Sequence, residues 1–125
     1  MKILIVEDNP DMRDLLRLRV QLTGYLPILA SHGKEGVEKA SAEKPDLILM
    51  DMMMPVMDGW EAARTLRASR DTKDIPILAT TAVFRSDDLK ACLDAGCNGY
   101  LVKPFNGADL QRKIREMLDG KELPA

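Results

Sequence analysis

The 125-residue chain contains few of the residues that build sulfur or imidazole sites: two cysteines and one histidine. Cys92 and Cys97 are separated by four residues in ACLDAGC, a spacing typical of neither a C-x-x-C redox motif nor a zinc site. Thiols that lack such a pattern usually fill small spaces in a hydrophobic core and stay reduced in the cytoplasm. We therefore expect no disulfide and no zinc centre in this protein.

The chain also lacks an excess of positive charge and a long apolar run. Its 18 Lys and Arg residues against 20 Asp and Glu residues give a net charge of −2, whereas a nucleic-acid-binding domain carries a basic stripe. Crossing a bilayer takes roughly 20 apolar residues, and Asp51 and Pro55 interrupt the longest candidate. The first residues, MKILIVED, have no small-residue cleavage site of a secretory leader. These features predict a cytoplasmic protein with neither a nucleic-acid nor a membrane partner.

Five short apolar runs alternate with five segments of helical periodicity. The predicted strands are Ile3–Val6, Leu26–Ala30, Leu47–Met50, Ile75–Thr80 and Gly99–Val102. The predicted helices run from Pro10 toward Gly24, over Lys34–Glu43, from Trp60 to near Ser69, from Ser86 to Gly96, and from Asn106 to Gly120. Pro27 makes the second strand an edge strand, because proline cannot donate a ladder hydrogen bond. The alternation predicts an α/β fold, a doubly wound five-stranded parallel sheet with five helices, in one domain (residues 1–120) with a short tail (residues 121–125).

Polar residues collect where the predicted strands end. Ligands of open parallel sheets bind outside the carboxyl ends of the strands. The residues at these ends are Glu7, Asp8, Asp51, Thr80, Thr81 and Lys103. Three acids in close proximity repel one another unless a cation intervenes, and oxygen ligands suit Mg²⁺ or Mn²⁺ rather than zinc. A lysine and a hydroxyl facing such a cation would receive a phosphoryl group, with Asp51 as its nucleophile.

Each of these residues alone has a plainer interpretation as a loop or capping residue, and the pattern leaves several functions open. One is a phosphorylation-controlled signalling module. A second is a Mg²⁺-dependent phosphohydrolase with an aspartyl nucleophile, although that class carries D-x-D-x-T after its first strand and this chain has EDNPD. A third is a flavin or nucleotide binder, although no glycine-rich phosphate loop such as G-x-x-x-x-G-K is present.

Four segments, ILIVEDN, LILMDMMMPVMDG, ILATTA and GYLVKPF, resemble the four signatures of response-regulator receiver domains of two-component signalling. The resemblance extends from Lys2 to about Leu118. It implies a flavodoxin-like fold with strand order 2-1-3-4-5. It also implies that Asp51 is the phospho-acceptor, and that Mg²⁺, for which Mn²⁺ is a possible substitute, is held by the carboxylates described above and by the backbone carbonyl of Met53.

The resemblance assigns further roles at the ends of the fourth and fifth strands. Thr81, which precedes the small residue Ala82, matches the switch hydroxyl. Lys103 matches the phosphate-contacting lysine, which is usually followed by a cis proline. Tyr100 matches the aromatic residue whose rotamer follows the switch.

The implied function is a signalling switch rather than an enzyme, since such a domain catalyses only its own phosphorylation and dephosphorylation. Its donor would be a sensor histidine kinase or a histidine phosphotransfer protein. Its unknown downstream protein would bind the face made by the fourth helix, fifth strand and fifth helix. We expect a monomer or weak dimer, either free-standing or excised from a hybrid kinase. The apolar residues Met53 and Val83, two positions beyond Asp51 and Thr81, predict slow self-dephosphorylation.

Overall fold

Five parallel strands form one sheet in the order β2-β1-β3-β4-β5. The computed structural model describes residues 1–53, 57–82 and 86–120, with residues 86–89 and 120 described as backbone only. The strands are β1 (Lys2–Val6), β2 (Leu26–Ala30), β3 (Leu47–Asp51), β4 (Ile77–Thr81) and β5 (Gly99–Val102). The helices are α1 (Pro10–Leu22), α2 (Gly33–Glu43), α3 (Gly59–Ala68), α4 (Ser86–Asp94) and α5 (Gly107–Gly120). The predicted fold class and strand order are confirmed.

Helices cover both faces of the sheet because successive side chains of a strand point to opposite sides. In β1, Leu4 and Val6 belong to a buried cluster that includes residues of α2, α3 and α4. Ile3 and Ile5 belong to a second cluster with residues of α1 and α5. The sheet is therefore doubly wound, and its carboxyl edge is free to carry polar side chains.

Local signals set most of the element ends as predicted. Asn9 caps α1, since its Oδ1 accepts a hydrogen bond from the Met12 N–H at 3.0 Å. Gly24 ends the first helical segment with φ of 91°, a left-handed conformation that glycine adopts without a Cβ clash. Cys92 and Cys97 are both buried, as expected of core fillers.

The fourth strand differs from its prediction by two residues at its start and one at its end. The expected strand was Ile75–Thr80, whereas β4 is Ile77–Thr81. Pro76 offers only its carbonyl, which accepts from the Ile48 N–H at 2.9 Å, so the ladder becomes regular only at Ile77. At the other end of β4, Thr81 pairs with Val102 and is the last strand residue rather than the first loop residue.

The starts of three helices shift by a single residue because of capping. The third helix begins at Gly59 rather than Trp60, with Asp58 as its capping residue. The second helix begins at Gly33 rather than Lys34, and the exposed His32 caps it: the Glu35 N–H donates to its Nδ1 at 3.1 Å. The last helix begins at Gly107, with Asn106 as the capping residue. Among the described residues, no helix combines the length and apolar character that spanning a bilayer requires. The boundary between a domain ending at residue 120 and a tail stays a prediction.

Candidate functional site

Three carboxylates meet at the carboxyl ends of β1 and β3. These strands are neighbours in register, with Val6 opposite Met50, so the residues that follow lie side by side. Glu7, Asp8 and Asp51 each offer a carboxylate oxygen, and these oxygens lie within 4.8 Å of one another. Glu7 is 2% exposed and Asp51 is 4% exposed, while Asp8 is half-buried. The predicted acid cluster is therefore assembled, and two of its members are nearly removed from water.

One ammonium group partly balances these acids. Lys103 follows β5, and its Nζ lies 3.3 Å from Glu7 Oε1 and 3.5 Å from Asp51 Oδ1. The backbone around it is held by a hydrogen bond of 2.7 Å from its own N–H to the Thr81 carbonyl, and by a cis peptide bond to Pro104. The Lys103 ammonium thus pairs with two of the three carboxylates.

The surroundings of Glu7 change the pKa of its carboxyl group. Burial, and after it the neighbouring Asp51 charge, raise the pKa of its carboxyl group from the ordinary 4.5 to about 7. The Asn9 N–H, 3.1 Å from Glu7 Oε2, and the Lys103 ammonium act in the opposite direction. A divalent cation would offset the repulsion that keeps a proton on this site. An all-oxygen set of carboxylates is the chemistry that Mg²⁺ prefers.

Thr81 and Tyr100 lie on one face of the sheet. Thr81 pairs with Val102 and Ala79 pairs with Tyr100, and residues two apart in a strand share a face. Ala79 packs in the cluster that includes Cys92 of α4, so this is the α4 side. Thr81 is buried, whereas Tyr100 is 37% exposed. The two predicted switch residues are thus neighbours across β4 and β5, with the tyrosine turned partly outward.

The residues two positions beyond the acid and the threonine are only partly described. The Met53 N–H donates to Asp51 Oδ1 at 3.1 Å, and the Met53 side chain is 54% exposed. A metal-ligating role for the Met53 carbonyl stays a prediction. Val83 lies outside the described residues.

Sequence reasoning missed a contact that holds the β1–α1 connection. Arg13, in the first turn of α1, donates from Nη1 to the Glu7 carbonyl at 2.9 Å. This bond ties the helix to the backbone of an acid in the cluster. Its only sequence signal is its position four residues after the helix cap, which is too common to single it out.

These features coincide with a known family. A sequence model of the response regulator receiver domain matches residues 3–115. The chain belongs to that family. The strand order β2-β1-β3-β4-β5 is thus that of a receiver domain, and the resemblance noted in the sequence is confirmed.

Receiver domains of longer proteins are among the relatives. Response regulator MprA of Mycobacterium leprae is 41% identical over 118 residues, which cover 94% of this chain and 51% of the relative. The alkaline phosphatase synthesis transcriptional regulatory protein PhoP of Bacillus subtilis is 36% identical over 124 residues, which cover 99% of this chain and 51% of the relative. The chain therefore spans about half the length of these curated relatives.

Solved structures give the same result. The chemotaxis protein CheY4 of Vibrio cholerae matches with a TM-score of 0.88 and 32% identity, over 92% of this chain and 96% of that one. The receiver domain of the sensor histidine kinase PA1611 from Pseudomonas aeruginosa matches with a TM-score of 0.88 and 39% identity, over 94% of this chain and 97% of that one. The PA1611 structure has a magnesium ion coordinated in its active site cleft.

Proposed function

We propose that this receiver domain is a phosphorylation-activated switch in which Asp51 accepts a phosphoryl group from a phosphohistidine. The donor would be a sensor histidine kinase or a histidine phosphotransfer protein. The observation that carries the proposal is the environment of Asp51. It is a buried carboxylate at a strand end, in contact with one ammonium group and grouped with two further acids.

Mg²⁺ is the proposed cofactor, held by Glu7, Asp8 and Asp51. The raised pKa of Glu7 supports this assignment, because a cation would replace the proton that the crowded acids retain. When bound, the ion neutralises negative charge on the transferred group. Met53 would add its backbone carbonyl. Mn²⁺ fits the same donor set as a substitute.

In the transfer step, this chain contributes the Asp51 carboxylate and the Lys103 ammonium, and the donor protein contributes the phosphohistidine. An oxygen of the Asp51 carboxylate forms a bond to phosphorus as the bond between phosphorus and the donor imidazole nitrogen breaks. The imidazole leaves with that electron pair and takes a proton from solvent. The Lys103 ammonium, which contacts the acceptor carboxylate, then pairs with the new phosphoryl oxygens. The product is the domain phosphorylated on Asp51, so the domain is the substrate of its own reaction.

A groove beside Lys103 supports a docking position for the donor protein. It has a volume of about 380 Å³ and lies between α1 and the segment that follows β5. Its lining residues are Met12, Leu15, Leu16, Arg19, Ala82, Lys103, Pro104 and Phe105. Leu15 is 42% exposed and Leu18, one turn further along α1, is 48% exposed. Because Lys103 lines the groove and also contacts Asp51, a donor seated on α1 would hold its phosphohistidine next to the acceptor.

Phosphorylation would be read on the face formed by α4, β5 and α5. The proposed switch draws the Thr81 hydroxyl toward the phosphoryl oxygens, and Tyr100 turns inward to fill the space that Thr81 vacates. The location of the two residues on one face of neighbouring strands supports this coupling. Beryllofluoride, a phosphoryl mimic, should therefore shift the amide resonances of residues 90–118, while unchanged shifts across that range would contradict the switch.

The central experiment is labelling with acetyl phosphate and Mg²⁺, followed by intact mass measurement. Wild type and Asp119→Asn, a control at an exposed acid on α5, should each gain one phosphoryl group, and Asp51→Asn should gain none. Full labelling of Asp51→Asn would overturn the acceptor assignment. Continuous release of phosphate from small esters would instead indicate a phosphohydrolase.

A second experiment tests the metal set. Asp8→Ala should be labelled far more slowly than wild type, because too few carboxylates remain to hold the cation. Labelling of Asp8→Ala at the wild-type rate would show that the metal assignment is wrong.

The relatives include both a transcriptional regulator and the receiver domain of a sensor histidine kinase. The proposal therefore concerns the receiver domain alone.

A further inference from the structure

The outer edge of the sheet at β2 has backbone groups that point away from β1. The Leu26 N–H donates to the Met1 carbonyl, and the Ala30 carbonyl accepts from the Glu7 N–H, so residues 26, 28 and 30 face β1. By alternation, residues 27, 29 and 31 direct their backbone groups outward. An exposed strand edge of this kind is a template for pairing with another chain.

Two side chains of α2 occupy part of this edge. The Lys39 ammonium donates to the Leu29 carbonyl. The Glu35 carboxylate accepts from the Ser31 N–H at 2.6 Å and from the Ser31 hydroxyl at 3.0 Å. Lys39 and Glu35 also pair with each other, with Nζ 3.3 Å from Oε2. The same ion pair therefore holds an outward carbonyl and the next outward N–H of β2.

This arrangement reproduces the hydrogen bonds that one residue of a parallel neighbour would make. In a parallel ladder, a residue opposite Ala30 would donate to the carbonyl of Leu29 and accept from the N–H of Ser31. The ammonium stands in the place of that N–H, and the carboxylate stands in the place of that carbonyl. Pro27 removes a further outward donor, because it has no N–H.

Without the Lys39 and Glu35 hydrogen bonds, β2 would be suited to pairing with another strand. Its sequence, LPILA, carries no charge, and Leu26 is 60% exposed. Two copies related by a two-fold axis would pair antiparallel, with Leu29 of each copy free to exchange both of its backbone hydrogen bonds with its equivalent. Lys39 holds the carbonyl that this exchange needs.

We propose that the Glu35–Lys39 ion pair substitutes for a neighbouring strand and prevents the β2 edge of one copy from pairing with the β2 edge of a second. This effect of the Glu35–Lys39 ion pair is independent of phosphorylation, since the pair lies on α2 and not at the Asp51 site. It keeps a sheet with an apolar edge strand from extending between copies.

The test compares two double variants of equal charge change on the same helix. Glu35→Ala with Lys39→Ala opens the edge, whereas Lys34→Ala with Glu38→Ala alters exposed residues that make none of these contacts. Sedimentation velocity should show an association constant about tenfold higher for the first variant than for wild type, which corresponds to about 1.4 kcal/mol. The control should match wild type.

Hydrogen exchange identifies the edge that is used. The Leu29 amide should become protected as concentration rises in the edge-opened variant, and not in wild type or in the control. If the double variant does not fold, Lys39→Ala alone serves instead, because it leaves the Glu35 hydrogen bonds in place. Its association constant and its protection of the Leu29 amide should both rise, but by less. An edge-opened variant that stays as monomeric as wild type, or that associates without protecting Leu29, would overturn the proposal.

Discussion

Charged side chains have opposite surroundings at the carboxyl and amino ends of the sheet. At the carboxyl end, the Lys103 ammonium pairs with two of three neighbouring carboxylates, and burial favours the protonated form of Glu7. At the amino end of β4 and β5, Arg67 of α3 is surrounded by neutral acceptors. Its guanidinium donates to the carbonyls of Gly96, Lys73 and Ile75 at 2.9, 2.8 and 2.7 Å, and to Asn98 Oδ1 at 2.6 Å.

Because of this difference in charge balance, the amino end of the sheet stabilises the fold, whereas the carboxyl end is suited to binding. Asn98 Oδ1 also accepts from the Ile77 N–H at 2.8 Å, so the Arg67 cluster fixes the start of β4. Gly96, with φ of 114°, lies so close that an added Cβ would be 2.5 Å from the Arg67 Cγ. Polar groups that are mutually satisfied stabilise a fold, whereas crowded like charges lower stability and leave a site ready to bind a cation or a phosphoryl group.

The largest effect on stability should follow from removing the cation at the amino end. Arg67→Met should lower the free energy of unfolding by about 3 kcal/mol, because several carbonyls and the Asn98 side chain lose a charged donor. Urea unfolding measures the change. Arg112→Met, at a surface arginine of α5 whose side chain is 66% exposed, should cost under about 1 kcal/mol. An equal loss for the two variants would contradict the special role of the amino end.

The same comparison predicts a pH dependence at the carboxyl end. Between pH 4.5 and about 7 the folded protein keeps a proton on Glu7 that the unfolded chain has released, given the raised pKa of Glu7. The folded state then binds more protons, so the stability of the metal-free protein should fall as pH rises through this window and level off above it. The fall should be about 3 kcal/mol.

Two controls identify Glu7 as the source. Glu7→Gln should flatten the slope, because the amide does not titrate. Saturating Mg²⁺ should oppose the fall in wild type, since the cation favours the ionised carboxylate. A slope that persists in Glu7→Gln would assign the titration to another group.

Features that depend on local sequence could be predicted for this protein, whereas contacts between distant side chains could not. Strand and helix positions follow from short-range periodicity, and even the misplaced start of β4 reflects a local feature, the missing N–H of Pro76. The acid cluster was predictable because parallel strands bring their carboxyl ends together. Lys103 was predicted at the same edge for that reason, but its direct contacts with Glu7 and Asp51 were not, because they depend on side-chain conformation. Charged clusters such as Arg67 with Asn98 depend on which loops face each other, and periodicity carries no information about that.

The smallest expected effect concerns how long the phosphorylated state lasts. Hydrolysis of an aspartyl phosphate requires a water molecule aligned behind phosphorus, and a polar side chain near the line of attack can hold it by a hydrogen bond. Met53 follows the acceptor by two positions and presents a thioether with no donor, in a side chain that is 54% exposed. Val83 has the corresponding position after Thr81 in the sequence and is equally unable to orient water.

Self-dephosphorylation should therefore be slow, and replacing both residues with polar ones should accelerate it. Met53→Asn with Val83→Glu should shorten the lifetime by about tenfold, if water positioning recovers about 1.4 kcal/mol of the barrier. Loss of the phosphoryl group after removal of donor, followed by intact mass, measures the rate. Met53→Leu with Val83→Ile keeps both side chains apolar and should leave the lifetime near that of wild type. A polar pair that hydrolyses no faster than this apolar pair would show that backbone geometry around Asp51, rather than these two side chains, limits the access of water.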